Sequence, residues 1–173
     1  MSHVIELASD FGELKVWLAT VIISKPLSED LLNKLRTTVA GCRDSLIAVV
    51  PASRVLNSWH MIYPSYLSLR DHLRGISRFK DPGLGAITYM AGSTQLRKGL
   101  AIMNPVGYDK LSLIVMGIND CVINSIGAIL NSLRDVLIDL VIGVGVFRFY
   151  DGVFRSVDEF MESLISRYVS EFT

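Results

Sequence analysis

The chain has 173 residues, half of them hydrophobic and a fifth charged, which excludes a disordered chain, a collagen-like repeat and a small disulfide scaffold. Seventeen basic and seventeen acidic residues cancel, so no global charge implies nucleic acid or an anionic membrane as a partner. A chain of this length buries about 70% of the surface it exposes when unfolded, so one globular domain over 1–173 needs neither metal nor disulfide to hold together.

Residues 14–23 are rich in β-branched and aromatic types, with Lys15 the only charge, and this predicts a largely buried strand. Pro26 ends it. Ser28 then caps a helix whose first turn carries Glu29 and Asp30, with Leu27 placed to staple onto Leu32. Leu31, Leu35 and Val39 form its expected stripe, and Gly41 its stop. Ser45 to Val50 is a short apolar strand closed by Pro51. Trp59, Ile62, Tyr66, Leu69 and Leu73 recur at helical spacing and predict a longer helix, kinked at Pro64.

Asp81-Pro82-Gly83 is a turn signature, since proline presets its angle and glycine accepts positive φ. A strand is expected at 86–90, then a turn at Ala91-Gly92. Ser93 caps a short helix with Leu96, Leu100 and Met103 on its apolar face, and Asn104-Pro105 ends it. Lys110 to Met116 is another buried strand. Asn119 or Asp120 caps a helix with the stripe Ile123, Ile126, Leu130, Leu133 and Leu137. Residues 137–149 form a continuous apolar run that periodicity cannot assign to helix or strand, although Gly143 and Gly145 favour a break. Ser156-Val157-Asp158-Glu159 is a capping box opening a terminal helix with a wide apolar face. The alternation of strands and helices predicts a mixed α/β (α+β) single domain with a central sheet of four or five strands packed by helices.

The run from Cys121 to Phe149 is apolar, but Arg134, Asp135 and Asp139 interrupt it, so no membrane span is expected. The amino terminus lacks a signal-peptide pattern and no acceptor for N-glycosylation occurs, which points to the cytoplasm. Cys42 and Cys121 belong to no CxxC pair and are expected to be small, inert core residues.

Charge is unevenly placed. Between Arg54 and Lys98 seven basic residues face only Asp71 and Asp81, a local +5 that leaves −5 elsewhere. Such segregation marks a candidate binding face. Arg70 and Arg74, four apart, are neighbours on one helix. The start of the helix after Gly92 offers free backbone N–H groups near Ser93, Thr94 and Gln95, with Arg97 and Lys98 one turn on, which makes it a candidate anion site beside the plainer reading of a capped surface helix. Gly83-Leu84-Gly85 lacks the third glycine of a dinucleotide loop, and 92–99 lacks P-loop spacing. His60 and His72 are too far apart for a metal pair on one helix face, and no Gly-x-Ser-x-Gly elbow is present. No catalytic constellation, cofactor or metal site is legible.

Three pieces carry a family resemblance. They are Ser-Trp-His-Met-Ile at 58–62, the basic tail Arg70-Asp71-His72-Leu73-Arg74-Gly75-Ile76-Ser77, and Ala-Ile-Thr-Tyr-Met-Ala-Gly-Ser-Thr-Gln-Leu-Arg-Lys-Gly-Leu at 86–100. Together, over 55–116, they resemble the small non-catalytic subunit of the KEOPS (EKC) complex, with Gly92, Gln95, Leu96 and His60 matching its pattern. Thr94 stands where that family usually has arginine.

The resemblance implies a regulatory subunit without an active site. Such a subunit docks on the small atypical kinase of the complex and helps hold the 3′ end of tRNA for threonylcarbamoyl-adenosine modification. On that reading Leu96, Leu100 and Met103 meet the kinase, while Arg70, Arg74, Arg78, Lys80, Gln95, Arg97 and Lys98 meet RNA. Tyr63, Trp59 or Tyr89 could stack a base, though core roles are commoner for such residues. The rival is a small-molecule-binding domain or enzyme with its anion site at Ser93. A homodimer burying the terminal helix is a third possibility.

Overall fold

The computed structural model describes residues 5–9 and 12–142. In chain order it contains β1 (Ile5–Ser9), β2 (Gly12–Ile23), α1 (Glu29–Thr37), β3 (Ser45–Pro51), α2 (Ser58–Leu73), α3 (Pro82–Met90), α4 (Leu96–Ile102), β4 (Lys110–Gly117), α5 (Cys121–Leu133) and β5 (Leu137–Ile142). Helices and an antiparallel sheet make this a mixed α+β fold.

β2 organises the sheet. One of its edges carries β4, with Trp17 opposite Val115, and β3 continues beyond β4, with Leu46 opposite Met116. The other edge is shared between β1, which pairs near the start of β2, and β5, which pairs near its end. Every one of these pairings is antiparallel.

Side chains alternate across the pleat and so serve two cores. Leu14, Val16 and Leu18 of β2, with Leu46, Ala48, Val50, Ile114 and Met116, face the layer of α2, α3 and α4. Trp17, Ala19, Val21 and Ile23, with Ile47, Val49, Leu111, Leu113 and Val115, face α1 and α5. Both sides of these central strands are therefore dry, which is why they are continuous apolar runs rather than alternating ones.

The helices are set by local chemistry. Ser28 caps α1 by accepting from Leu31 N–H, Glu29 and Asp30 occupy the first turn, and Leu27 and Leu32 are buried as the staple requires; of the expected stripe Leu35 is buried while Leu31 and Val39 are half-buried, and the helix ends at Thr37, short of Gly41. In α2, Asn57 caps by accepting from His60 N–H, and the helix runs through Pro64 with Ile62, Tyr66 and Leu69 against the sheet. In α5, Asn119 accepts from Cys121 N–H. Its buried positions are Val122, Ile126, Ile129 and Leu133, while Ile123 is 47% exposed. The stripe is thus rotated from the expected Ile123, Leu130 and Leu137, and Leu137 belongs to β5.

Three expectations are corrected. Residues 86–90 are not a strand but the second half of α3, because Asp81 caps by accepting from Gly83 N–H and Pro82 fits the first turn. The helix also needs its glycines. A Cβ at Gly83 would collide with the backbone carbonyl of Ile47, and one at Gly85 would meet Ser68 and Phe79. Cys42 and Cys121 are not separate core residues; they form a disulfide, with Cα atoms 5.7 Å apart, tying the loop before β3 to the start of α5. β1, unread in the sequence, adds a strand at the edge of β2. Of 137–149, residues 137–142 are β5; the remainder and the expected helix from Ser156 lie outside the described residues.

Candidate functional site

The segment with the local positive charge spans the end of α2 to the start of α4, and α3 lies between them. α3 runs antiparallel to α2, held at both ends. At one end Ser68 Oγ donates to the Pro82 carbonyl at 2.6 Å. At the other, His60 Nε2 lies 2.7 Å from the Met90 carbonyl, while Nδ1 accepts from Leu56 N–H at 3.2 Å. With Nδ1 accepting, the neutral ring carries its proton on Nε2 and donates it to Met90. His60 is therefore a structural staple between two helices.

This arrangement divides six of the seven basic residues into two groups, with Arg54 apart from them in the turn before α2. Arg70, Arg74, Arg78 and Lys80 gather where α2 ends and α3 begins. Arg97 and Lys98 lie on α4, whose Gly99 packs against Thr88 near the far end of α3, with the Thr88 Cα only 2.6 Å from a Cβ placed on that glycine. The nine residues of α3 set the separation of the groups at about 12 Å along its axis. Arg74, Arg78, Lys80, Arg97 and Lys98 are exposed.

The two acids of the segment are engaged locally. Asp71 Oδ1 takes a hydrogen bond from Arg70 at 3.2 Å, and the charge of Asp71 also acts on the Tyr89 hydroxyl. Partial burial, and then the charge of Asp71, push the Tyr89 phenol above its ordinary pKa. Tyr89 packs edge-on against Phe79, ring centres 5.7 Å apart, so its ring is held in place at the α2–α3 junction. Asp81 is the cap of α3.

The apolar residues expected to meet a partner are placed differently from one another. Met103 is 2% exposed and belongs to the core, Leu100 packs against that core half-buried, and Leu96 is 38% exposed. Of the three, Leu96 alone presents substantial surface. Ile102, also 38% exposed, lies six residues on at the end of α4, a residue the three-residue stripe passed over because its spacing puts it off the inward face.

The anion site expected at Ser93 is not formed as expected. α4 begins at Leu96 with Gln95 in the cap position, and Gln95 N–H is already bonded to Ser93 Oγ at 3.0 Å. Gln95 itself is exposed. Trp59 and Tyr63 are half-buried against the α2–α4 core, so neither ring stands free as a stacking platform.

Among the described residues no group of three or more His, Cys, Asp or Glu side chains is placed to hold a metal ion. No helix among them is long and apolar enough to cross a membrane. No family model and no curated protein matches the chain.

Proposed function

We propose that the chain is a non-catalytic binding subunit of a KEOPS-type tRNA-modifying assembly. It holds single-stranded RNA on the basic groups flanking α3 and docks on the small kinase of the assembly through the outer side of α4. The observation that carries this reading is the exposure of Arg74, Arg78, Lys80, Arg97 and Lys98 while Asp71 and Asp81 are drawn into local hydrogen bonds. Cations in two groups on a rigid frame suit a flexible polyanion, whose phosphates dominate affinity. The histidine that matches the resemblance, His60, fixes α2 to α3.

Leu96 and Ile102 supply the apolar contact with the kinase, and Met103 supports them from beneath. A cytoplasmic setting belongs to the same proposal. The Cys42–Cys121 bridge then fits a cytoplasm in which disulfides persist, as in hyperthermophiles, better than one kept strongly reducing.

The test is titration of single-stranded RNA against the chain at several salt concentrations, with Arg78→Glu and Lys98→Glu combined as the variant. Loss of two phosphate contacts lowers the slope of log affinity against log salt by about 1.4. Copurification from the native host should recover the kinase and tRNA with the wild-type chain, and Leu96→Asp should lose the kinase alone. An unchanged slope removes the RNA surface from the reading, and a kinase that stays bound to Leu96→Asp removes the docking face.

A further inference from the structure

A cleft of about 620 Å³ opens between the end of α1, the loop entering β3, the end of α2 and the start of α3. Arg36, Arg43 and Lys80 bring three cations to it from three separate elements, with His72 beside them, and Asp44 and Asp81 also line it. No residue of the Ser93 turn lines it, and Arg36 also borders a second cleft beside Leu100 and Met103 at the end of α4.

Arg36 is the informative residue. It is half-buried, yet its guanidinium has no hydrogen bond or ion pair with any described residue. Burial lowers its pKa, and Asp81 and Glu29 counter that only through their charge. Its nitrogens still reach water, since among the described residues only Trp17 Nε1 is a buried side-chain nitrogen or oxygen without a partner, so no protein acceptor competes with a ligand for them. The planar fork of arginine matches two oxygens of a phosphate at once.

Both walls of the cleft are fixed in advance. On one side Cys42 is bridged to Cys121, and Asn119 Nδ2 donates to the Arg43 carbonyl at 3.0 Å. Asp44 there adopts a left-handed φ of 58°, which turns the chain into β3. On the other side Asp81 caps α3 through Gly83 N–H at 2.7 Å, and Ser68 holds Pro82. Walls that do not reorganise keep the ordering cost of binding small.

The composition of the lining narrows the ligand. Arg36, Arg43 and Lys80 against Asp44 and Asp81 leave one net positive charge before His72 is counted, which favours an anion. The two carboxylates are acceptors without donors in an anion alone, so they suit hydroxyl or amino groups elsewhere on the ligand. The volume lies within the usual range for small-molecule sites.

We propose that this cleft binds the phosphoryl group of a small, hydroxyl-bearing phosphate ester of the nucleoside monophosphate class, with Arg36 as its bidentate anchor and Lys80 and Arg43 beside it. The inference does not rest on the RNA-binding reading and survives its failure.

Isothermal titration calorimetry on the full chain tests it with AMP, inorganic phosphate and adenosine. AMP should bind more tightly than phosphate, and adenosine should give no heat. Arg36→Met should weaken AMP by about tenfold or more, the worth of a charged hydrogen-bonded contact. Arg36→Lys, which keeps charge and loses the fork, should fall between, and Arg134→Met, on an exposed residue outside the cleft, should bind as wild type. The melting temperature of each variant separates lost binding from lost folding, and Lys80→Met gives a second reading on an exposed residue. Absence of AMP binding into the millimolar range overturns the proposal, as does equal binding by Arg36→Met or equal heat from adenosine. If Arg36→Met weakens single-stranded RNA while AMP fails to bind, the cleft belongs to the RNA surface and the small-ligand proposal falls.

Discussion

Replacing Cys42 and Cys121 together by alanine removes a covalent link across 79 residues of chain. Closing a loop of that length in the unfolded state carries an entropy of −2.1 − 1.5R ln n, which at 25 °C is worth about 4.5 kcal/mol to the folded form. Measured values usually fall below this figure, so a loss of about 2–4 kcal/mol is expected. Both side chains are half-buried rather than fully enclosed, so the packing lost with the sulfurs is minor beside the loop term. For a chain of this size the loss corresponds to a fall in Tm of about 4–16 °C.

Urea unfolding should show the lower midpoint together with a larger m-value, because the uncrosslinked denatured chain is more expanded. The single variants Cys42→Ala and Cys121→Ala should each cost nearly as much as the pair, since either breaks the same bond. The double variant should also melt where the wild type melts in dithiothreitol. Two titratable thiols in the native, unreduced protein, or a Tm that ignores dithiothreitol, would refute the reasoning at its base.

Gly83→Ala places a methyl group against the Ile47 backbone carbonyl, and neither backbone can yield easily. A loss of about 1–3 kcal/mol is expected from thermal melts. Gly127→Ala, in α5 with open space around it, should instead raise stability by about 0.5–1 kcal/mol; a destabilised Gly127→Ala or a neutral Gly83→Ala contradicts the packing described. Tyr89 has its pKa raised, chiefly by desolvation and then by Asp71. Its contribution to stability is complete below the unfolded pKa of about 10 and is lost as pH rises through the higher folded value. Alkaline melts should therefore show stability falling above about pH 10, with a shallower fall in Tyr89→Phe, and identical profiles would remove Tyr89 from the account.

The two halves of the basic segment illustrate how far local pattern reaches. Arg70 and Arg74 could be placed as neighbours from their spacing alone, because helical periodicity is a property of consecutive residues. That Arg97 and Lys98 stand at the other end of α3 depended on residues 86–90 being helix. Those residues are β-branched, aromatic and small in mixture, and their own propensities leave the choice open. The cap at Asp81 and the close seat of Gly83 and Gly85 on β3 and α2 made it. Arg36 carried no sequence signal as a cleft residue, since its partners in the lining come from positions as distant as Lys80.

Sequence by itself determined the strands at 14–23, 45–50 and 110–116, the start of α1 at Ser28 and the extent of α2, since each rests on side-chain type and spacing within a few turns of chain. Tertiary structure alone decided that Cys42 meets Cys121, that Met103 turns inward while Leu96 turns outward, and that Arg36 is half-buried beside Lys80 and His72. These are meetings between segments far apart in the chain. They are fixed by which faces the sheet and helices bury against one another, and no local pattern encodes that choice.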